Sequence, residues 1–239
     1  MLDETFVERG FEFIDHSAYL DVENSPSLHD LKKIFDLDLE IDQNCLFRKR
    51  CYLKMRWDRL TNQFDLAENQ KYFQTTVSNK IDGGKVRQFK VMDKKILEIP
   101  IIQTLINKNL DMISEYAPLK KIDTLTIGMH FIRYLVNQDS ASFSSPDWLH
   151  KDDEPLVFVH LIGLSRSALG GDNLIADDNK KVTHVIRLEN DLDTLVLNKS
   201  VYHAVTPLGS REGVSVRDVI LFTVESSDAQ INNEEHNAA

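Results

Sequence analysis

Cysteine is nearly absent from this chain. Among 239 residues only Cys45 and Cys51 carry thiols, and their spacing fits neither a zinc-ligand pair nor a redox motif, which argues against a disulfide framework or a cysteine metal site. Glycine (9) and proline (6) are sparse too, and no Pro-rich or Gly/Ser-rich linker divides the chain. No apolar run approaches the roughly 18 residues of a membrane helix. The acidic start Met1-Leu2-Asp3-Glu4 lacks the apolar stretch of a secretory signal. A cytoplasmic protein with no membrane partner is expected. Basic charge is in short supply as well. Lys and Arg number 28 against 38 Asp and Glu, a net charge of −10, whereas phosphate binding needs clustered cations, so no nucleic-acid partner is expected. The tightest basic cluster, Arg48-Lys49-Arg50, reads as a solvated strand edge.

What the chain does have is enough apolar content, 42%, to bury one sizeable core at this length. One domain over residues 1–225 is expected, with residues 226–239 a polar, disordered tail. No internal repeat stands out. Up to about residue 120 the pattern is mixed. Ser27 can cap a helix with the apolar stripe Leu28, Leu31, Ile34 and Phe35, and Pro100 can open another through Ile102, Leu105, Ile106, Leu110 and Ile113. Between them Cys51, Leu53, Met55 and Trp57 alternate with polar residues, as in a strand. From about residue 121 the helical period gives way to short strand-like runs: Leu125 to Val136, Pro146 to Asp152, Leu156 to Leu164, Asn173 to Ala176, Val182 to Leu188, Thr194 to Leu197, Val201 to Val205 and Asp218 to Val224. A mainly β fold with added helices, its core a sandwich or barrel such as the jelly roll, is predicted.

One triplet carries chemistry. His-x-Asp arises easily by chance, but in a strand residues i and i+2 share a face, so His150 and Asp152 would project side by side, with Trp148 walling the same face. A third ligand must come from elsewhere, and His203 in a late strand can supply it. Two imidazoles and a carboxylate leave open positions on a metal, an arrangement that suits Fe(II) and oxygen chemistry rather than closed structural zinc. Arg217, at the head of the last apolar strand, could pair bidentately with a carboxylate of a dicarboxylic acid. His160, among Phe158 and Ile162, reads as a satisfied core histidine. Gly83-Gly84 reads as a hairpin turn, and Asp172 and Asn173 as turn-shaping residues.

The longer blocks around these residues resemble the bacterial 2-oxoglutarate/Fe(II) dioxygenases that hydroxylate free L-amino acids, above all the L-isoleucine 4-hydroxylase type. They are Ser142 to Pro155 with Leu156 to Leu164, Gly170-Gly-Asp-Asn-Leu-Ile-Ala176, Tyr202-His-Ala-Val-Thr-Pro-Leu-Gly209, Arg217-Asp218, Asp82 to Phe89, and Gly128 to Tyr134. The resemblance implies a double-stranded β-helix, cupin-like core, iron ligands His150, Asp152 and His203, and Arg217 on the distal carboxylate of 2-oxoglutarate. It also implies O2 as co-reactant and succinate and carbon dioxide as products. Where many relatives carry Ser or Thr two residues after that arginine, this chain has Val219.

A free amino acid as small-molecule partner calls for a cation to meet its carboxylate and an acid to meet its ammonium. Arg87, Arg133 and His130 are candidates for the first and Asp153, with Glu154, for the second. His130 and Arg133 are separated by an odd number, so an uninterrupted strand sends only one of them into the barrel. We favour Arg133, with Arg87 reaching over from the Gly83-Gly84 turn. A cupin-like metal protein without oxygenase activity and an oxygenase acting on a protein or another small molecule are the competing classes. Oligomeric state is left open by the sequence, a homodimer included.

Overall fold

The computed structural model describes residues 5–21, 23–43, 45–76, 83–144 and 148–225. Asp82, the opening of the expected strand at Pro146 and the expected disordered tail lie outside them. Among the described residues helices α1 (Phe6–Arg9), α2 (Ser25–Leu37) and α3 (Pro100–Glu115) accompany thirteen strands. The strands are β1 (Phe11–Ile14), β2 (Glu40–Asp42), β3 (Cys45–Asp58), β4 (Gln63–Leu66), β5 (Thr124–Val136), β6 (Leu156–Leu164), β7 (Ala168–Leu169), β8 (Asn173–Ala176), β9 (Val182–Ile186), β10 (Thr194–Asn198), β11 (Tyr202–Val205), β12 (Gly209–Ser210) and β13 (Ser215–Val224).

An eight-stranded sheet runs β1-β10-β6-β13-β5-β3-β2, with β4 also pairing with β3. Along β3, β5 and β13 the alternation is unbroken and the pairing register sorts the residues into two faces, while the register shifts against β6 between Asp218 and Val219 and against β2 between Ile41 and Asp42. On the outer face Cys51, Leu53 and Met55 of β3 lie with Ile127, Met129 and Phe131 of β5 and Ile220 and Phe222 of β13. There they meet the apolar stripes of α2 and α3, Leu28, Leu31 and Phe35 and then Ile102, Leu105 and Ile113, in one core. Full burial of each such side chain stabilises the fold by about 2 kcal/mol. The inner face carries a second core of Ile132, Tyr134, Val157, Val159, Leu195 and Val219. It is closed by a three-stranded sheet, β11-β8-β9, whose Ile175 belongs to that same core. Two antiparallel sheets facing each other across a core, with helices backing one of them, form a double-stranded β-helix.

Several sequence expectations need correction. Instead of a strand from 146 to 152, the described residues show one bridge, His150 to His203. α2 begins at Ser25 with Asn24 at its N-cap. Ser27 lies inside the first turn, and its hydroxyl accepts from Ile101 N of α3 at 3.0 Å. β13 starts at Ser215, so Arg217 lies within the strand and not at its head. β3 is no solvated edge at Arg48-Lys49-Arg50: β5 and β2 flank it there, Arg50 is 7% exposed, and Arg48 pairs with buried Asp42 at 2.6 Å.

His160 is the core histidine the sequence suggests. Its Nε2 accepts from Asn109 Nδ2 at 2.9 Å and its Nδ1 donates to Thr194 Oγ1 at 2.7 Å, while burial pushes it down to about 3. Between pH 6.5 and 3 the unfolded chain therefore binds a proton that the folded chain refuses, and stability falls as pH falls. Urea unfolding of wild type and His160→Gln should show a wild-type loss steeper by up to about 1.4 kcal/mol per pH unit in that window. Parallel pH profiles would contradict the assignment.

Candidate metal centre

His203 on β11 lies directly opposite Ile175 of β8, which points its side chain into the inner core. His150 and His203 exchange both backbone hydrogen bonds, at 3.1 and 2.9 Å, so their side chains leave the same face and the ring centres stand 4.4 Å apart. Asp152, two residues on, closes the group. Its Oδ2 lies 3.3 Å from His203 Nε2 and its Oδ1 3.7 Å from His150 Nε2. One ligand atom from each of the three lies within 4.8 Å of the others. Burial alone would raise the Asp152 carboxyl, but His203 and His150 outweigh it and hold the group below its ordinary value. Burial likewise opposes charge on His203, and Asp152 more than offsets it, leaving that imidazole raised. Positive charge is thus favoured between the imidazoles and the carboxylate, as a bound cation would supply. The donor set, two imidazoles and a hard oxygen on one side of an ion, fits ferrous iron.

Trp148, expected to wall the site, is 52% exposed. Arg217 is 3% exposed on the inner face, opposite Tyr134 of β5 and Leu164 of β6. Gly171 makes room for it: at φ +77 it faces the arginine, and a Cβ there would stand 3.2 Å from Arg217 Cδ. Burial pulls the guanidinium down against the opposing pull of Tyr134 and Asp172. Among the described residues Arg217 forms no ion pair, because Asp172 is taken by Arg187 at 2.7 Å, and its Nη2 is buried without a hydrogen-bond partner. A buried guanidinium with an orphan donor is costly. A carboxylate delivered from outside is the natural complement.

Of the expected substrate contacts, Arg133 is on the wrong face. It donates through Nε and Nη2 to the two oxygens of Asp218, both at 2.7 Å, and through Nη1 to Asp36 of α2 at 2.6 Å. The parity rule operates, and His130 is the inward residue, opposite Tyr52 and Leu221. Asp153 is occupied in holding a loop, accepting from Thr75 N and Oγ1 at 2.8 and 2.9 Å. Arg87 sits against Tyr72, 4.8 Å from the ring centre, and donates to Gln74 Oε1 at 2.6 Å. Missed as site residues were Arg50, Tyr72 and Phe89, which gather beside His130. One signal was legible: Arg50 and Tyr52 fall on the opposite parity to Cys51 and Leu53, so they share the inner face. A second grouping of ligand-type residues, Asp15, His16 and Asp193, is already satisfied, since the Asp193 carboxylate accepts from the backbone of His16, Glu189 and Asn190.

Histidines, a carboxylate and a buried arginine inside a double-stranded β-helix define a class, the metal-dependent oxygenases. The chain belongs to the 2OG-Fe dioxygenase family, whose sequence profile matches residues 33–223, and with membership come Fe(II), 2-oxoglutarate and O2. It is 38% identical over 219 residues to L-isoleucine-4-hydroxylase of Bacillus thuringiensis, covering 91% of each chain. It is 42% identical over 159 residues to 3(1)-hydroxy-L-isoleucine 4-dioxygenase of Pantoea ananatis, covering 66% of this chain and 64% of the relative. The crystal structure of IDO from Bacillus thuringiensis superposes with a TM-score of 0.83 at 36% identity, covering 93% of this chain and 96% of that one. A bsmA homologue from Methylobium petroleophilum shares the fold, with a TM-score of 0.79 at 18% identity and coverage of 94% and 91%.

Arg133 is structural, and Asp218→Ala, which leaves it only the exposed Asp36 as partner, should lower the unfolding free energy by about 2 kcal/mol. The double replacement Arg133→Met with Asp218→Leu should recover most of that. A loss below about 1 kcal/mol for the single variant in urea unfolding would contradict this role.

Proposed function

We propose that this enzyme hydroxylates a free aliphatic L-amino acid, L-isoleucine first, with leucine, methionine or a cyclic imino acid behind it. The observation that carries the proposal is the convergence of His150, Asp152 and His203 within 4.8 Å in a chain 38% identical to an isoleucine hydroxylase over 91% of its length. In this reading His150 and His203, through Nε2, and Asp152, through a carboxylate oxygen, hold iron. Arg217 grips the distal carboxylate of 2-oxoglutarate. Bound there, iron and 2-oxoglutarate together supply the oxidising chemistry: O2 is consumed, 2-oxoglutarate becomes succinate and carbon dioxide, and a C–H bond of the amino acid becomes C–OH.

The chain's own contribution is position and dryness. Arg217 is buried and fixed by the strands on either side, so a carboxylate on it is oriented without further ordering. Val219, Ile132 and Leu161 form one row across the inner face, and all three are buried, which keeps water from the wall beneath the site. Residues 1–225 form one catalytic domain in this reading, because β1, near the start of the chain, is an edge strand of the sheet that β13 runs through. A cytoplasmic location suits the two unbridged cysteines.

The test is succinate release by protein reconstituted anaerobically with Fe(II) and 2-oxoglutarate, then exposed to O2 with single amino acids. Isoleucine should raise turnover well above the uncoupled rate; a panel with no stimulating amino acid would sink the substrate assignment. In the same assay His150→Ala and Asp152→Ala should release no iron-dependent succinate, and full activity in either would refute that ligand. Arg217→Leu should raise the KM for 2-oxoglutarate by about 100-fold, in line with loss of a buried charge-assisted pair. An unchanged KM would move the anchor elsewhere.

A further inference from the structure

Beside the metal centre, unpaired buried polar atoms crowd round the ring of Tyr72. Arg50 on β3 sets its guanidinium carbon 3.9 Å from the Phe89 ring centre and 5.7 Å from that of Tyr72. Arg87 stands 4.8 Å from Tyr72 on another segment, and the His130 ring is 4.6 Å away in an edge contact. The Tyr72 hydroxyl donates to Glu154 Oε1 at 2.8 Å. Glu154 is two residues beyond Asp152, so the cluster adjoins the metal centre.

The chemistry of these groups is specific. Arg50 Nη2 lies 2.6 Å from His130 Nδ1. Burial, with Arg50 and Arg87 close by, holds His130 well below its ordinary value, so the ring is neutral, accepts at Nδ1 and carries its hydrogen on Nε2. That Nε2–H has no partner, nor do the Nε–H groups of Arg50 and Arg87, nor Oε2 of Glu154. Burial pushes Arg50 down to about 10, which leaves it protonated at neutral pH. Among the described residues neither Arg50 nor Arg87 has an acidic partner. Buried polar groups in folded proteins are ordinarily satisfied, and here three orphan donors, two of them cationic, stand near one orphan carboxyl acceptor. A ligand bearing one carboxylate and one ammonium supplies what both sides lack. Aromatic walls on Tyr52, Tyr72 and Phe89 strengthen each of these contacts by excluding water.

We propose that this cluster holds the backbone of the amino acid: Arg50, with Arg87 and His130 Nε2–H, receives the α-carboxylate, and Glu154 accepts the α-ammonium. The inference rests on the amino-acid reading above and deepens it. It makes Arg50 the residue that selects a free amino acid, since a residue within a peptide lacks both charges and would leave the buried Arg50 guanidinium unmatched.

The test is calorimetric titration of the enzyme loaded with Mn(II) and 2-oxoglutarate, without O2, using L-isoleucine, L-isoleucinamide and 3-methylpentanoate. Wild type should bind isoleucine about 100-fold or more tightly than the amide. Arg50→Met should lose about 100-fold for isoleucine, with the amide and 2-oxoglutarate unchanged. Arg50→Lys keeps the charge without the planar fork and should fall between the two. If wild type binds isoleucine but both variants keep its preference over the amide, Arg50 does not hold the carboxylate and only this proposal fails. It fails equally if both variants lose the thermal unfolding transition, which would make Arg50 part of the scaffold, or if they weaken 2-oxoglutarate instead. If wild type binds no isoleucine at all, the hydroxylase assignment itself falls and takes this one with it.

Discussion

Two backbone hydrogen bonds organise this molecule's chemistry: His150 N–H to the His203 carbonyl and His203 N–H to the His150 carbonyl. They tie a segment with little regular structure of its own to a strand of four residues, and they fix both imidazoles on one face. Asp152 follows by chain geometry alone. Without this pair the three groups would be spread over two loops, and burying Asp152 would cost more than its neighbours return.

The large sheet supplies what the bridge cannot. Its inner face carries Arg50, Tyr52, His130, Tyr134, Arg217 and Val219 in register, while the outer face carries the apolar core covered by α2 and α3, with the Arg133–Asp218 pair beside it. Strict alternation along β3, β5 and β13 lets one set of strands build a stable core on one side and a charged, aromatic chamber on the other. Arg217 and Arg50 occupy neighbouring rows of that chamber, two strands apart. A dicarboxylate and an amino acid could therefore be held by separate cations without competing for one.

Much of this was legible in the residues. Periodicity located the start of α3 at Pro100 and both ends of β6 at Leu156–Leu164, because helical stripes and continuous apolar runs report burial directly. The His150, Asp152 and His203 grouping was also legible, although through a strand that proved to be a single bridge; same-face geometry survives when only one pair is bonded. What misled were cations. Arg48-Lys49-Arg50 resembles a solvated patch because clustered charge is usually outside, and only the pairing of β3 with β5 reveals that Arg50 is inside. Arg133 was favoured over His130 because its charge suits a carboxylate. Asp36 and Asp218, distant in sequence, satisfy it on the opposite face. Parity could say that one of the two enters, and only register could say which.

A crystal structure with Mn(II), 2-oxoglutarate and L-isoleucine, grown without oxygen, tests whether one inner face joins a histidine-carboxylate iron site to two separately placed arginines. Metal bonds of about 2.0 to 2.2 Å from His150 Nε2, His203 Nε2 and an Asp152 oxygen are expected, with the distal carboxylate of 2-oxoglutarate on Arg217 and the amino-acid carboxylate on Arg50. Metal at any other set of residues, or both carboxylates on the same arginine, would contradict this arrangement.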